Sequence, residues 1–275
     1  MDPTLTAKYE TLIENLGRLG RAVVAFSGGV DSTFLGWSTA QALGDRARLV
    51  TADSETYPAA ELAEAQQLAA LIGLPHIVVA TRELDRPEYA RNAPDRCFFC
   101  KDELFTKLAA VAREHGDAPI IYGAIMDDLG DHRPGMQAAR QHGVRAPLIE
   151  AELWKQEIRD LSRAVGLPTW DKPSFACLSS RFQYGDAITP EKLRRVDAAE
   201  VVLRELGFRQ FRVRHHDRLA RIELPFEDMP RLWADGRHEI VVKRFREIGY
   251  HFVTLDLLGF RSGSANEVLR WIGRK

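Results

Sequence analysis

Compact apolar runs alternate with amphipathic stretches through the first two-thirds of the chain. Residues 21–26 form a short apolar run that reads as a buried strand. A glycine turn then leads into a helical stretch reaching Leu43, with Gly44 suited to the C-cap. Residues 48–52 read as a second strand, and residues 58–72 as a helix that begins with proline and ends before Gly73. A third strand is expected at 77–80, a helix at 100–114 and a fourth strand at 119–123. Helical stretches follow at 136–141 and 154–165, with an extended 145–149 between them, and a short polar helix over 4–16 precedes the whole series. Such alternation predicts an α/β fold, a parallel sheet with helices on both faces.

The pattern changes after Pro168. Residues 171–185 contain Pro173, several serines and Cys177, and read as a structured loop. A long helix over 190–206 follows, then strands at 211–216 and 220–224, a helix at 239–248 and a last strand at 252–258. These predict a small α+β unit with strands that can pair antiparallel. The expected organisation is a first domain over 1–170, a cysteine-bearing connecting loop over 171–185 and a second domain over 186–275.

At 275 residues, 45% apolar and 28% charged, the chain can bury a substantial core. A formal net charge of -1 supplies no broad attraction to nucleic acid or anionic membrane. No apolar stretch has the length to span a bilayer, and Met1-Asp2-Pro3-Thr4 lacks a secretion-signal pattern, so a cytoplasmic protein is expected. Three cysteines, Cys97, Cys100 and Cys177, argue against a disulfide framework and for metal or thiol chemistry.

Ser27-Gly28-Gly29-Val30-Asp31-Ser32 stands at a strand-to-helix turn. The glycine pair lets the backbone bend and approach a ligand closely. The following helix directs N–H groups and its positive dipole end there, which suits phosphate. Ser27 and Ser32 add hydroxyls, and Asp31 suits a magnesium ion bridging phosphates. The turn lacks the lysine of a Walker loop, and its glycine spacing is not that of a dinucleotide fingerprint. A tight turn with glycines for packing alone is the plainer alternative. The six residues resemble the signature of the PP-loop ATP pyrophosphatases, which implies ATP cleavage to AMP and pyrophosphate with adenylation of a carbonyl or carboxyl oxygen. Open α/β sheets bind ligands at the C-terminal strand ends. Asp53 and Ser54, and Tyr122-Gly123-Ala124 with Asp127 and Asp128, are placed there. Gly123 is the expected adenosine contact and Asp127 the second expected magnesium ligand, loop capping being the alternative for each.

Cys97-Phe98-Phe99-Cys100 precedes a helix in this reading, a position that favours thiolate. The pair fits a redox couple, half of a zinc site, two buried hydrophobes or, with Cys177, three ligands of a [4Fe–4S] cluster with one open iron. Cys177 lies among serines and Arg181, an electropositive setting. Taken together, the glycine loop, Arg96-Cys97-Phe98-Phe99-Cys100-Lys101, Tyr122-Gly123-Ala124 with Asp127-Asp128, and the loop Lys172-Pro173-Ser174-Phe175-Ala176-Cys177-Leu178-Ser179-Ser180-Arg181 resemble the LarE family over essentially the whole chain. The resemblance implies a sulfurtransferase that uses ATP and Mg2+ to adenylate a carboxylate of pyridinium-3,5-biscarboxylic acid mononucleotide and replace its oxygen with sulfur, in nickel-pincer nucleotide synthesis. One branch of that family sacrifices the sulfur of a cysteine matching Cys177. Another has two further cysteines and a cluster, and Cys97 and Cys100 make this chain resemble that branch.

In residues 211–216, period-two alternation puts Arg212, Arg214 and His216 on one face, and the next strand aligns Arg221 with Glu223. Two arginines on one face suit a phosphate clamp, a solvated sheet face being the plainer reading. The resemblance implies that Arg212, Arg214, Arg181, Glu200 and Glu223 belong to the substrate side, and that the partners are a small-molecule nucleotide and further copies of the chain in a homo-oligomer. A PP-loop tRNA thiolase with an iron–sulfur cluster is the alternative, for which the near-neutral charge lacks the expected basic surface. A non-catalytic nucleotide sensor with structural zinc leaves Asp31 and the Cys177 loop unexplained.

Overall fold

The computed structural model describes residues 2–130, 134–261 and 263–264. The chain divides into two compact units, Met1–Arg86 with Asp95–Phe175, and Pro87–Pro94 with Ala176–Lys275.

The first unit holds the expected parallel sheet. Strands β1 (Ala22–Ala25), β2 (Ala47–Asp53), β3 (His76–Ala80) and β4 (Ile120–Tyr122) lie in the order β3-β2-β1-β4, and all three pairings are parallel. Alternation along β1 explains how both faces are covered. Ala22 and Val24 enter a core with residues of α1 (Pro3–Gly17), α2 (Val30–Leu43), α3 (Ala59–Ile72) and α8 (Lys155–Ala164). Val23 enters a second core with Phe105 and Leu108 of α5 (Arg96–Glu114) and Ala138 of α6 (Pro134–Gln141). The stretch expected to be extended over 145–149 is reduced to one parallel bridge, Arg145 beside Ile121, after which Pro147 opens the single turn of α7 (Pro147–Glu150). Proline has a preset helical φ and no N–H to lose at that position.

The second unit takes in the short α4 (Pro87–Ala90) from the middle of the first unit's sequence. Thr189 caps α9 (Pro190–Glu205) by accepting the Lys192 N–H at 3.3 Å. Strands β5 (Arg212–His216) and β6 (Leu219–Glu223) pair antiparallel as expected. The last strand, β7 (Phe252–Leu255), pairs parallel to β6, so that the small sheet is mixed. The helix α10 (Arg237–Ile248) lies between β6 and β7 in the chain and returns it to the starting end of the sheet, as a parallel pair requires. Residues from α9, all three strands and α10 share one apolar core around Val202, Val213, Ile222 and Phe245. Among the described residues, no helix is long and apolar enough to cross a membrane.

Candidate active site

The turn between β1 and α2 is built from short-range bonds. Gly28 has a left-handed φ of +64°, and a Cβ there would sit 3.1 Å from the Cα of Ala65 on α3, so only glycine fits without displacement. Gly29 is the N-cap of α2, and Thr33 makes the first helical bond back to it at 2.9 Å. The N–H groups of Val30, Asp31 and Ser32 therefore stand at the positive end of the helix dipole. The Ser27 and Ser32 hydroxyls lie 3.0 Å apart, and the Ser27 N–H donates to the Ser32 oxygen at 3.2 Å. These hydroxyls close the turn. Its two leading carbonyls are engaged as well: Ser27 O accepts from the Tyr57 hydroxyl at 2.7 Å, and Gly28 O from the Lys172 ammonium at 3.2 Å.

Asp31 lies in the first turn of α2, and both its carboxylate oxygens accept from Lys155 Nζ, at 2.7 and 2.8 Å. The backbone N–H of the same lysine donates to Asp127 at 2.8 Å. The two expected magnesium ligands thus meet at Lys155. Burial pushes the Asp31 carboxyl above the usual aspartate range, the charge and hydrogen bonds of Lys155 pull it back, and the Asp128 charge adds to the push. In the nucleotide-free protein, Lys155→Met removes the restraining charge. The Asp31 carboxyl is then expected to titrate at still higher pH, followed by carboxyl-carbon NMR; an unchanged or lowered value counts against the pairing. Gly123, the expected adenosine contact, makes room for the start of α2. A Cβ there would lie 3.1 Å from Ser32 N and 3.2 Å from the Asp31 carbonyl carbon. Ser54 is engaged within the chain, donating to Glu83 at 2.8 Å.

The helix at the paired cysteines starts earlier than the sequence pattern places it. α5 begins at Arg96, so Cys97 and Cys100 belong to its opening turns and, three apart, to neighbouring positions on one face. Cys97 is exposed and Cys100 half-buried. Among the described residues, no three His, Cys, Asp or Glu side chains gather into a group able to hold a metal ion.

Cys177 is in the second unit, half-buried, at the entry of a single 3-10 turn, Leu178–Arg181. Arg181 organises this turn. Its guanidinium makes two parallel bonds to Glu200, both 2.8 Å, and donates to Ala176 O at 2.6 Å and Cys177 O at 3.2 Å. Its side chain is 0% exposed and that of Glu200 2%. The electropositive neighbour of Cys177 therefore has its charge matched by Glu200, and what it contributes is position. Arg214 is similarly held by Glu223 at 2.9 Å through two bonds and donates to Ser180 O at 2.6 Å. Arg212 packs over Phe260 at 4.9 Å and donates to Phe211 O at 2.7 Å. Burial and the guanidiniums of Arg181 and Arg214 push Arg212 down to about 10. The structure thus brings Cys177, Arg181, Arg212, Arg214, Glu200 and Glu223 together in one unit, and the glycine loop, Gly123 and Asp127 in the other.

Several participants carry no sequence signal of their own. Lys155 and Tyr57 sit in ordinary surroundings in the chain, and residues 87–94 belong to no recognisable pattern. In the second unit the Tyr89 and Ser179 hydroxyls lie 2.6 Å apart, and Asn92 donates to Gln183 O at 2.6 Å, bracing the turn after Cys177. Lys172 has one available clue, its place in the motif that carries Cys177.

No family model matches the chain. An uncharacterised protein of Synechocystis is 46% identical over 265 residues, 96% of this chain and 99% of that protein. The pyridinium-3,5-bisthiocarboxylic acid mononucleotide synthase of Lactiplantibacillus plantarum is 37% identical over 267 residues, 97% of this chain and 96% of the synthase. One subunit of the glutamine-hydrolysing GMP synthase of Archaeoglobus fulgidus is 28% identical over 199 residues, 68% of this chain and 65% of that subunit.

Proposed function

The chain belongs to the LarE family, that of the pyridinium-3,5-bisthiocarboxylic acid mononucleotide synthase, and we propose that it is an ATP-dependent sulfurtransferase acting on pyridinium-3,5-biscarboxylic acid mononucleotide. The observation that carries this reading is the glycine loop at the start of α2, where the first N–H groups of the helix have no acceptor within the helix and suit phosphate oxygens. Asp31 and Asp127 are the residues that would hold magnesium, Asp31 exchanging its bonds to the Lys155 ammonium for the ion, which would offset phosphate charge. In the activation step a carboxylate oxygen of the substrate attacks the α-phosphorus and pyrophosphate departs. In the transfer step a C–S bond forms, the C–O bond to the adenylate oxygen breaks, and AMP leaves with that oxygen.

In the second unit, the charges of Arg181 and Arg214 are matched by Glu200 and Glu223. Arg212, pushed down first of all by burial, is the arginine of the three that we assign to the phosphate of a nucleotide substrate. Cys97 and Cys100, on one face at the start of α5, would supply two adjacent thiols to a [4Fe–4S] cluster, and Cys177 is the third thiol of the chain. Such a cluster, when bound, would supply sulfide. Anaerobic reconstitution with iron and sulfide, followed by assay with ATP, magnesium and the pyridinium dicarboxylate nucleotide, tests the reading. More than one thiocarboxylate per chain, with Cys177 retaining its mass, is expected. A strict limit of one, with Cys177 losing its sulfur, would overturn delivery by the cluster; absence of any thiocarboxylate would overturn the sulfurtransferase itself.

A further inference from the structure

A loop that binds phosphate through its backbone must turn successive N–H groups toward the anion and the opposite carbonyls away. Each peptide plane ties these two directions together, because its C=O and N–H point opposite ways. The peptide joining Ser27 to Gly28 is set by Ser27 O and the next by Gly28 O. Both flank Gly28, the residue with a φ of +64°, where the absence of a side chain leaves the planes easiest to rotate.

Two side chains grip those carbonyls. Tyr57 OH donates to Ser27 O at 2.7 Å and so sets the direction of the Gly28 N–H. Lys172 Nζ donates to Gly28 O at 3.2 Å and so sets that of the Gly29 N–H. Neither grip is loose. The Lys172 ammonium is paired with Glu61 at 3.0 Å and Glu64 at 2.9 Å on α3, and its own carbonyl accepts from Arg159 at 2.9 Å. The Tyr57 ring meets Phe175 edge-on, centroids 6.2 Å apart. α3 also supplies Ala65 as the wall behind Gly28, one helical turn after Glu61. Two carboxylates already balance the Lys172 charge, so its part is to hold the backbone rather than to neutralise phosphate.

From this we infer that Lys172, assisted by Tyr57, is a positioning residue that presets the glycine loop for the pyrophosphate portion of the nucleotide. The inference rests on the loop being the ATP site, and it links that site to the segment just before Cys177, since Lys172 and Phe175 belong to it. Calorimetric titration of the full chain with magnesium pyrophosphate, ATP and AMP tests it. Lys172→Met is expected to weaken pyrophosphate and ATP on the order of 10- to 100-fold while AMP stays within about 3-fold. Lys172→Arg, which keeps a charged donor, is expected to recover most of the loss. Tyr57→Phe removes one hydroxyl and serves if the methionine variant does not fold; its expected loss is about 5-fold, again confined to ligands with a pyrophosphate group. Equal loss of AMP and pyrophosphate, or no loss of either, would overturn the positioning role. If the unaltered protein binds neither pyrophosphate nor ATP, the ATP site itself is misplaced.

Discussion

Cys177→Ala is expected to form no thiocarboxylate while still converting ATP to AMP and pyrophosphate in the presence of the dicarboxylate nucleotide. The contacts that shape this turn use backbone and neighbouring side chains, not the thiol: Arg181 on Ala176 O and Cys177 O, the Ser180 N–H on Cys177 O at 3.0 Å, and Tyr89 beside Ser179. Alanine therefore removes sulfur and leaves the turn in place. Loss of product on the order of 10³ or more, with ATP cleavage within about 3-fold, is the signature of a group used only in the second chemical step. Product and pyrophosphate measured together in one reaction check it. Retained sulfur transfer would remove Cys177 from the route, and parallel loss of both activities would give it a structural part. Cys97→Ala and Cys100→Ala then separate the two modes of delivery. Under cluster delivery each abolishes multiple turnover; under sacrifice of Cys177 each still permits one product per chain.

The parts legible in the sequence are those governed by local chemistry. A glycine pair between an apolar run and a helix marks the turn at the start of α2 because the bend, the cap and the dipole all arise within residues 27–32. The parallel sheet can be read because its strands alternate with helices along the chain. Strand β7 cannot, since its direction depends on how α10 crosses over, and the apolar pattern of the strand is the same either way. Lys155 and Lys172 are hidden for a related reason: their partners Asp31 and Gly28 lie 124 and 144 residues away. Alternation correctly groups Arg212 with Arg214, yet it does not show the pairing. Glu223 stands opposite Arg212 in the register but bonds Arg214, a diagonal contact that long side chains allow. The start of α5 is obscured because cysteine and phenylalanine are indifferent helix formers, and the helix gains its stability from Phe105, Leu108 and Val111 further along.

Arg181→Ala is expected to be the most destabilising of these single changes, lowering the unfolding free energy by about 3–5 kcal/mol. A protein of this kind has only about 5–15 kcal/mol in total. The size follows from burial. With the guanidinium gone, the Glu200 carboxylate, 2% exposed, loses both bonds that compensated its desolvation. It keeps the Val213 N–H at 3.0 Å, which is one neutral donor for a whole charge. Replacing both partners, Arg181→Met with Glu200→Leu, removes the buried charges together and is expected to restore much of the stability, as apolar replacement of buried pairs commonly does. Sulfur transfer should not return with it. The carbonyls of Ala176 and Cys177 still lack the donor that fixes them, so the thiol remains out of place in single and double variants alike. Urea unfolding and product formation, measured on all three proteins, check the two halves separately. A loss below about 1 kcal/mol in Arg181→Ala would mean that water reaches this pair, and full activity in the double variant would mean that Arg181 holds the second unit together without positioning Cys177.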